Sequence, residues 1–493
     1  MADLTNVAGI IDAAAEGDGT RVALHLDDGT ACSYSELRTE VQRWIGALAG
    51  AGVGDGDRVA VVDWGGLRST AVTLAAAHLG AASAQMNPLL SAVELAQLID
   101  VAGCGRIGVA CASSVEDLAA AVASAHGLTG TVLSEAGMAA PDPASIPERA
   151  IGGDAVAIVL FTSGTTGLPK PVPITHAAWL SRIQAYRPPF DAGRPAEVGL
   201  MCVPSFHVGG MLGLLIALYG GGTTVIQGRF DAGRWLAAVA QHRVAFGFVV
   251  PAMLSRILAH PDLDSTDVSS LRTVSYGAAA APIELIERAM ATWPDVGFAN
   301  TFGQTETLGA YTTLGPDDHR DPRRIGSVGR PLPGVEICVQ DPLTGERVGA
   351  GVVGDLWVRA DQNVTDGWME TGDVARIDAD GYLYPLGRRS ETINRGGEKF
   401  APSEVASVLR EHPSIEDLVV VGVPDPELGE RVGAAIVVAS GVAAPTLEEL
   451  RASCTGRLAS FKQPELFAVV DALPYNELGK LSRRAAVELF TGG

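Results

Sequence analysis

Leu160-Phe161-Thr162-Ser163-Gly164-Thr165-Thr166-Gly167-Leu168-Pro169-Lys170 is the stretch on which the reading of this chain turns. The apolar run Val156 to Phe161 leads into it and is expected to be a buried strand. Hydroxyl side chains then surround two glycines, and a proline and a lysine follow. Glycine lets a backbone approach a ligand closely, so that successive N–H groups and hydroxyls can surround phosphate oxygens. Lys170 adds a positive charge. The loop therefore reads as a polyphosphate holder. Two other phosphate motifs do not fit. The pattern Gly-x4-Gly-Lys-Ser/Thr needs a second glycine where Pro169 stands and a hydroxyl where Pro171 stands. The dinucleotide pattern Gly-x-Gly-x-x-Gly is absent from this stretch.

Five further stretches downstream carry chemistry-bearing residues. Pro204-Ser205-Phe206-His207-Val208-Gly209-Gly210 sets a histidine in an apolar run, where a histidine is more often a packed core residue than a ligand contact. Gly277-Ala278-Ala279-Ala280-Ala281-Pro282 follows the apolar strand Arg272 to Tyr276 and leaves room beside a planar ligand. Asn300-Thr301-Phe302-Gly303-Gln304-Thr305-Glu306 combines an aromatic, a hydroxyl and a carboxylate. Thr371-Gly372-Asp373 is an ordinary turn sequence whose carboxylate could accept two hydroxyls. Near the end stands Pro474-Tyr475-Asn476-Glu477-Leu478-Gly479-Lys480. The lysines of this chain are Lys170, Lys399, Lys462 and Lys480, in a set of 36 basic residues otherwise made of arginine. Lysines that persist against such a bias are candidates for positions needing a compact, mobile ammonium.

Thr-Ser-Gly-Thr-Thr-Gly-x-Pro-Lys at 162–170 resembles the signature of the adenylate-forming superfamily, which includes acyl-CoA synthetases, firefly-type luciferases and nonribosomal adenylation domains. The later stretches match that family in its order. The resemblance implies an α/β fold: a large multi-layered N-terminal domain with parallel and mixed sheets, residues 1–387, and a small mobile α+β domain, 388–493, joined by a hinge. It implies ATP, Mg²⁺ and CoA as co-substrates and cofactor. Thr162, Ser163, Gly164, Thr165, Thr166, Gly167 and Lys170 would hold the phosphates. Gly277, Ala278, Ala279, Asn300, Thr301, Phe302 and Gly303 would wall the adenine site, with Phe302 replacing the usual tyrosine. Thr305 would donate to the α-phosphate, Glu306 and Thr166 would hold the metal, and Asp373 the ribose. Lys480 would be the catalytic lysine. His207, Val208, Gly209, Tyr276 and Gly277 would border the acyl pocket, with His207 gating the carboxylate.

At the expected hinge, Arg388 matches the family's arginine, while Ser390 stands where an aspartate or lysine is usual. Arg395, Gly396, Gly397 and Lys399 would line the thiol path. Thr301 occupies the place where malonate-type synthetases carry an arginine, and His207-Val208 the neighbourhood of the amino-acid reader's aspartate. The acid is therefore expected to be an uncharged aryl or medium-chain monocarboxylate. The expected activity is ATP-dependent acid activation through an acyl adenylate, then transfer to the CoA thiol. The alternative acceptor is an amine or a carrier-protein thiol, although no carrier domain is fused before Gly493. A homodimer is left open.

Composition agrees with a soluble enzyme. The length of 493 residues allows two or more domains, and 47% apolar residues can fill large cores. Thirty-six basic against 57 acidic residues leave a net charge of −21, unsuited to nucleic acid or an anionic membrane. Met1 to Leu4 shows no basic segment before an apolar run, so no secretory signal is expected, and Met211 to Tyr219 is too short to span a bilayer. Cysteines 32, 104, 111, 202, 338 and 454 form no Cys-x-x-Cys, which points to a reduced cytoplasmic setting without a cysteine metal site. In residues 1–150, strands alternate with helices, which argues for a parallel sheet. After 400 a compact α+β unit is expected, with helices at 402–412 and 447–458 and strands at 415–423, 431–439 and 466–470.

Overall fold

The computed structural model describes residues 4–104, 107–110, 131–132, 150–162, 169–191, 193–365, 367–395, 398–475 and 481–491, with backbone only at 92, 107–110, 131–132, 390 and 399. Ser163, Gly164, Thr165, Thr166, Gly167, Gly396, Gly397 and Lys480, the linker expected at Ala140–Arg149, and Cys111 lie outside the described residues, as does the side chain of Lys399. By compactness the chain divides into two units. The first holds Met1–His319, Leu332–Val335 and Ala360–Gly367; the second holds Arg320–Pro331, Glu336–Arg359 and Trp368–Gly493.

Two sheets build the first unit. One is six-stranded: Thr131–Val132, Ile107–Ala110, Arg58–Val62, Ala82–Met86 and Val156–Thr162 run parallel, and Lys170–Thr175 closes the edge antiparallel. In the other, Gly297–Gln304, Thr273–Gly277, Phe246–Val249, Val198–Met201, Thr223–Ile226 and Val22–His25 are parallel neighbours in that order. Gly309–Leu314 pairs antiparallel with Gly297–Gln304, and Ala31–Ser33 pairs antiparallel with Val22–His25. Asp27-Asp28-Gly29 makes the expected hairpin between Val22–His25 and Ala31–Ser33, with Gly29 at φ +85°.

A layer of helices serves both sheets at once. Helix Tyr34–Gly50 starts at a capping box in which Ser33 and Glu36 satisfy each other's backbone N–H groups. It packs on helix Leu67–His78, whose Ala71, Ala75, Ala76 and Ala77 are fully buried. Their small side chains let two sheets share one thin layer. Leu24 of the larger sheet and Val59, Val61, Ile158 and Leu160 of the six-stranded sheet fall into the same core. Inside the six-stranded sheet a buried amide is satisfied: Gln85 Nε2 donates to Thr73 Oγ1 at 2.9 Å and to Ser83 Oγ at 3.0 Å.

The second unit holds an antiparallel four-stranded sheet, Glu336–Gln340, Gly354–Arg359, Met369–Ile377 and Leu383–Arg388. A second sheet of Ile393–Arg395, Glu398–Phe400, Ile415–Asp425, Gly429–Val438 and Leu466–Val469 carries helices Pro402–Leu409 and Leu447–Cys454 on its core. These elements match those expected after 400 to within a few residues. By compactness the four-stranded sheet therefore belongs with the second unit, ahead of residue 388. Compactness does not locate a pivot, and the expected hinge at 388 is a separate matter.

One core histidine links this packing to pH. His176, with no exposed surface, opens helix His176–Tyr186 and accepts the Val7 N–H at Nδ1, 3.3 Å away. Burial pushes its pKa down to about 4. An unfolded histidine titrates near 6.5, so below that pH the unfolded chain binds the extra proton first. Stability contributed by neutral His176 is complete above about pH 6.5 and declines as pH falls toward 4. The denaturation midpoint should drop between pH 7 and 5, and His176→Gln should flatten that slope; an unchanged slope would assign the acid sensitivity elsewhere.

Candidate active site

The loop that decides the reading is bounded by two registered strands. Thr162, half-buried, ends the strand Val156–Thr162, and the exposed Lys170 stands directly opposite it at the start of Lys170–Thr175. The buried run Ala157–Leu160 fixes where the loop leaves the sheet.

A second set of candidates lies at the carboxyl ends of the larger sheet's parallel strands, where open α/β sheets bind ligands. Tyr276 pairs with Asn300 and Gly277 with Thr301. A Cβ on Gly277 would lie 2.2 Å from the Thr301 carbonyl oxygen, so only glycine allows these strands to stay this close. The next residue, Ala278, takes φ +65° and is exposed, which turns the small-residue segment out of the sheet. Tyr276 behaves differently from its neighbours. Its ring is 1% exposed and its hydroxyl lies 2.9 Å from His319 Nε2. His319 Nδ1 lies 2.8 Å from the Gly315 carbonyl and must donate to it, which leaves Nε2 to accept from the phenol. Burial raises the phenol's pKa and lowers that of the imidazole, so both stay neutral. The phenol is thus engaged in the core, and the part of Tyr276 facing Thr301 is its carbonyl, which accepts from Thr301 Oγ1 at 3.2 Å.

Strand Gly297–Gln304 reverses into Gly309–Leu314 through the short turn Thr305–Thr307, with a register shift between Phe302 and Gly303. A Cβ on Gly303 would lie 2.0 Å from the Gly309 carbonyl oxygen. Thr307 Oγ1 accepts from the Gln304 N–H at 3.1 Å, and it also lies within bonding distance of the Gln304 and Gly309 carbonyls. Leu308 is fully buried at φ +49°. The Glu306 carbonyl accepts the Val364 N–H at 3.0 Å. The backbone of Thr305 and Glu306 is therefore pinned, while among the described residues no hydrogen bond or ion pair engages the Glu306 carboxylate. Phe302 packs edge-on to Tyr311 at 5.4 Å. Strand Val156–Thr162, which leads into the phosphate loop, lies against this turn.

Helix Val208–Tyr219 joins them. His207 is its N-cap, and its ring sits 4.4 Å from that of Phe206, which sits 5.9 Å from Trp64. A Cβ on Gly309 would be 3.2 Å from Leu212 and 4.0 Å from Val208, so the helix start borders the Thr305–Glu306 turn. Gly209 faces Phe248, whose ring would be 3.2 Å from an added Cβ. Trp64 and Phe248 were missed by sequence reasoning. Their signal was position: each lies at the carboxyl end of a parallel strand, and Gly65-Gly66 follows Trp64.

The second unit brings together two further candidates. Asp373 and Arg388 are cross-strand partners, with Arg388 Nε 2.7 Å from Asp373 Oδ1 and Arg388 donating to the Thr371 carbonyl at 3.0 Å. The turn expected at Thr371-Gly372-Asp373 is instead part of the strand Met369–Ile377, where Gly372 takes φ +76° at a shift in register against Gly354–Arg359. Arg395 instead makes a two-pronged ion pair with Glu465, at 2.7 and 2.8 Å, which ties its hairpin to the strand Leu466–Val469. Its guanidinium is committed to structure. Tyr475 pairs with Leu481 across the stretch that holds Lys480, and the Tyr475 hydroxyl donates to Asp417 at 2.7 Å. Three buried cysteines are poor nucleophiles: burial raises Cys32 to about 11 and Cys104 and Cys202 to about 12.

Residues 11–368 match the AMP-binding enzyme family, and residues 404–480 match the C-terminal domain of AMP-binding enzymes. The chain belongs to the AMP-binding enzyme family. A feruloyl-CoA synthase from an Amycolatopsis species is 33% identical over 468 residues, covering 92% of this chain and 93% of its own. The amide bond synthetase McbA from Marinactinospora thermotolerans superposes with a TM-score of 0.85 at 30% identity, covering 97% of this chain and 99% of that one. The o-succinylbenzoate CoA synthetase of Bacillus subtilis, solved with its acyl-adenylate intermediate, gives 0.82 at 27% identity, with 97% of each chain covered. The protein is an adenylate-forming ligase of the acyl-CoA synthetase type, and its α/β architecture with two kinds of domain is that of these neighbours. Enzymes of this family use ATP and act on small carboxylic acids. Among the described residues no helix is long and apolar enough to cross a membrane.

The Gly277 contact can be tested directly. Gly277→Ala should destabilise the chain by about 1–3 kcal/mol in a denaturant titration, because the strands must part to admit the methyl group. An unaltered midpoint would show that Thr301 yields freely.

Proposed function

We propose that this ligase couples an uncharged aryl or medium-chain monocarboxylic acid to CoA through an acyl adenylate, releasing AMP and pyrophosphate. The observation that carries the reading is the pinned Thr305–Glu306 turn, its carboxylate without a partner among the described residues, set between the strand that leads into the phosphate loop and the start of the His207-capped helix. The apolar lining offered by Val208, Gly209, Phe248 and the Gly277-Ala278 segment supports an uncharged acid. Thr301 spends its hydroxyl on the Tyr276 carbonyl and offers no charge to a second carboxylate. The feruloyl-CoA synthase, named for an aryl acid, supports the same class.

In this reading the acid is already ionised at neutral pH and needs no base. The obstacle is bringing anions together, so the residues act by positioning and by charge. Thr162, Lys170 and the loop between them hold the phosphates, and Thr305 donates to the α-phosphate. Glu306, its carboxylate unengaged among the described residues and its backbone fixed, and Thr166 suit a hard oxygen-seeking cation. Mg²⁺ held there would offset phosphate charge. Gly277, Ala278, Ala279, Asn300, Phe302 and Gly303 flank the adenine, and Asp373 accepts from the ribose, with Arg388 orienting it. His207 borders the carboxylate's approach. The chain pivots near 388, so that Lys480 serves adenylation and the 394–399 segment serves thiol transfer. The enzyme works in the cytoplasm, and a homodimer is compatible with this reading.

A second acceptor has one observation in its favour, the superposition on an amide bond synthetase at 30% identity. Acid-dependent AMP formation across a panel of acids, with CoA or with amines, separates the two. Benzoate- or octanoate-like acids with CoA should give the highest rates; preference for malonate or an amino acid would overturn the substrate class, and amide products the acceptor. Lys480→Ala should lower adenylation at least a hundredfold, a loss of roughly 3 kcal/mol, while sparing thioester formation from supplied acyl adenylate. Equal loss of both half-reactions would refute the division of labour.

A further inference from the structure

A cavity of about 310 Å³ opens at the opposite, amino edge of the larger sheet, lined by Arg194, Pro195, Glu197, Arg243, Ala245 and Arg272. Arg272 precedes the strand Thr273–Gly277 whose far end forms the Gly277–Ala278 wall, so the strand itself separates this cavity from the candidate active site. In a chain of net charge −21 the cavity gathers arginines. Its one lining carboxylate, Glu197, is already shared: Arg187 lies 2.7 Å and Arg272 2.5 Å from it. Arg272 also lies over the Phe246 ring at 4.6 Å, which fixes its plane. The guanidinium groups of Arg194 and Arg243 have no ion pair or hydrogen bond among the described residues. Asp267 lies close enough for its carboxyl to feel Arg243, yet forms no ion pair with it.

Arg243 stands where an arginine is unexpected. It ends helix Ala232–His242 in the left-handed conformation at φ +51°, a position that favours glycine or asparagine. A side chain with a Cβ costs about 1 kcal/mol or more there. The cost is tolerated at a residue that lines the cavity. Arg194 is held from behind, its carbonyl accepting from Arg21 at 3.0 Å.

We propose that this cavity is a second, non-catalytic site for a compact phosphate oxyanion of the size of pyrophosphate. Two uncommitted guanidinium groups match the bidentate geometry of phosphate oxygens. The volume lies at the low end of ligand sites, enough for two phosphate groups and too small for a whole nucleotide. The anion arrives either free or as the phosphate chain of a larger ligand whose remainder stays in solvent.

Calorimetric titration of the full-length chain with sodium pyrophosphate, at low and matched ionic strength, tests the site against the double variant Arg194→Gln/Arg243→Asn. Asparagine suits the left-handed position, and acid-dependent AMP formation should be unchanged, which certifies the fold. Wild type should show two classes of pyrophosphate site, and the variant should lose one or bind it at least tenfold more weakly. A parallel titration with ATP separates the sources: one class for ATP means that free pyrophosphate is the ligand, and two classes, one lost in the variant, mean a nucleotide's phosphate chain. Identical isotherms for wild type and variant would overturn the proposal. So would loss of the second class when sodium chloride replaces pyrophosphate's ionic strength, which would mark diffuse charge only. If the double variant does not fold, Arg194→Gln alone gives the same comparison.

Discussion

The close approach of two backbones at Gly303 and Gly309 is the constraint on which the active-site region rests. No side chain fits between them, so the strand that carries Asn300, Thr301 and Phe302 can reverse within a few residues. That reversal places Thr305 and Glu306 on a turn with no freedom left in its backbone, locked by the Thr307 hydroxyl, by Leu308 in a left-handed conformation and by Val364. Preorganisation of this kind lets a carboxylate stay uncommitted without wandering. The start of the helix at Val208 and the phosphate-loop strand then pack against a fixed object. Glycine at 277 repeats the device one strand away, where it holds Thr301 against the Tyr276 carbonyl.

Much of this was legible in the sequence, for physical reasons that differ by element. The strand Val156–Thr162 announced itself by an unbroken apolar run, as a strand covered on both faces must. Ser33, Ser91 and Thr446 each sit three residues before a glutamate, and each caps a helix in the structure. The glycines of Gly277, Gly303 and Gly372 were visible as punctuation, and the structure shows which atoms require them. Tyr276 was less legible. Its partner His319 is 43 residues away, and nothing local distinguishes a phenol facing a ligand from one facing a buried imidazole. Arg395 likewise takes its partner, Glu465, from 70 residues downstream. No expectation covered the four-stranded sheet from Glu336 to Arg388 beyond a turn at Thr371-Gly372-Asp373, which the structure places inside the strand Met369–Ile377.

The electrostatic organisation is equally uneven. A strongly acidic chain holds many of its arginines in pairs, among them Arg388 with Asp373, Arg395 with Glu465, and Arg389 with Asp355 and Glu370. Such exposed or half-exposed pairs contribute little stability each. Their value here is geometric, since each fixes a strand end or a turn beside a candidate residue. Against that background, Arg194 and Arg243 at the amino edge of the larger sheet, unpaired among the described residues, stand apart.

The sharing of one helix layer by two sheets has a consequence for how the chain is made. The strand Val22–His25 takes its parallel partner from Thr223–Ile226. A ribosome adding about 5–20 residues each second would need roughly 10–40 seconds to travel from one to the other. Through that interval the first hairpin has an open edge and an apolar face with no sheet to join. The first unit is thus a structure that must be finished late, and its earliest segment is the one that waits longest for shelter.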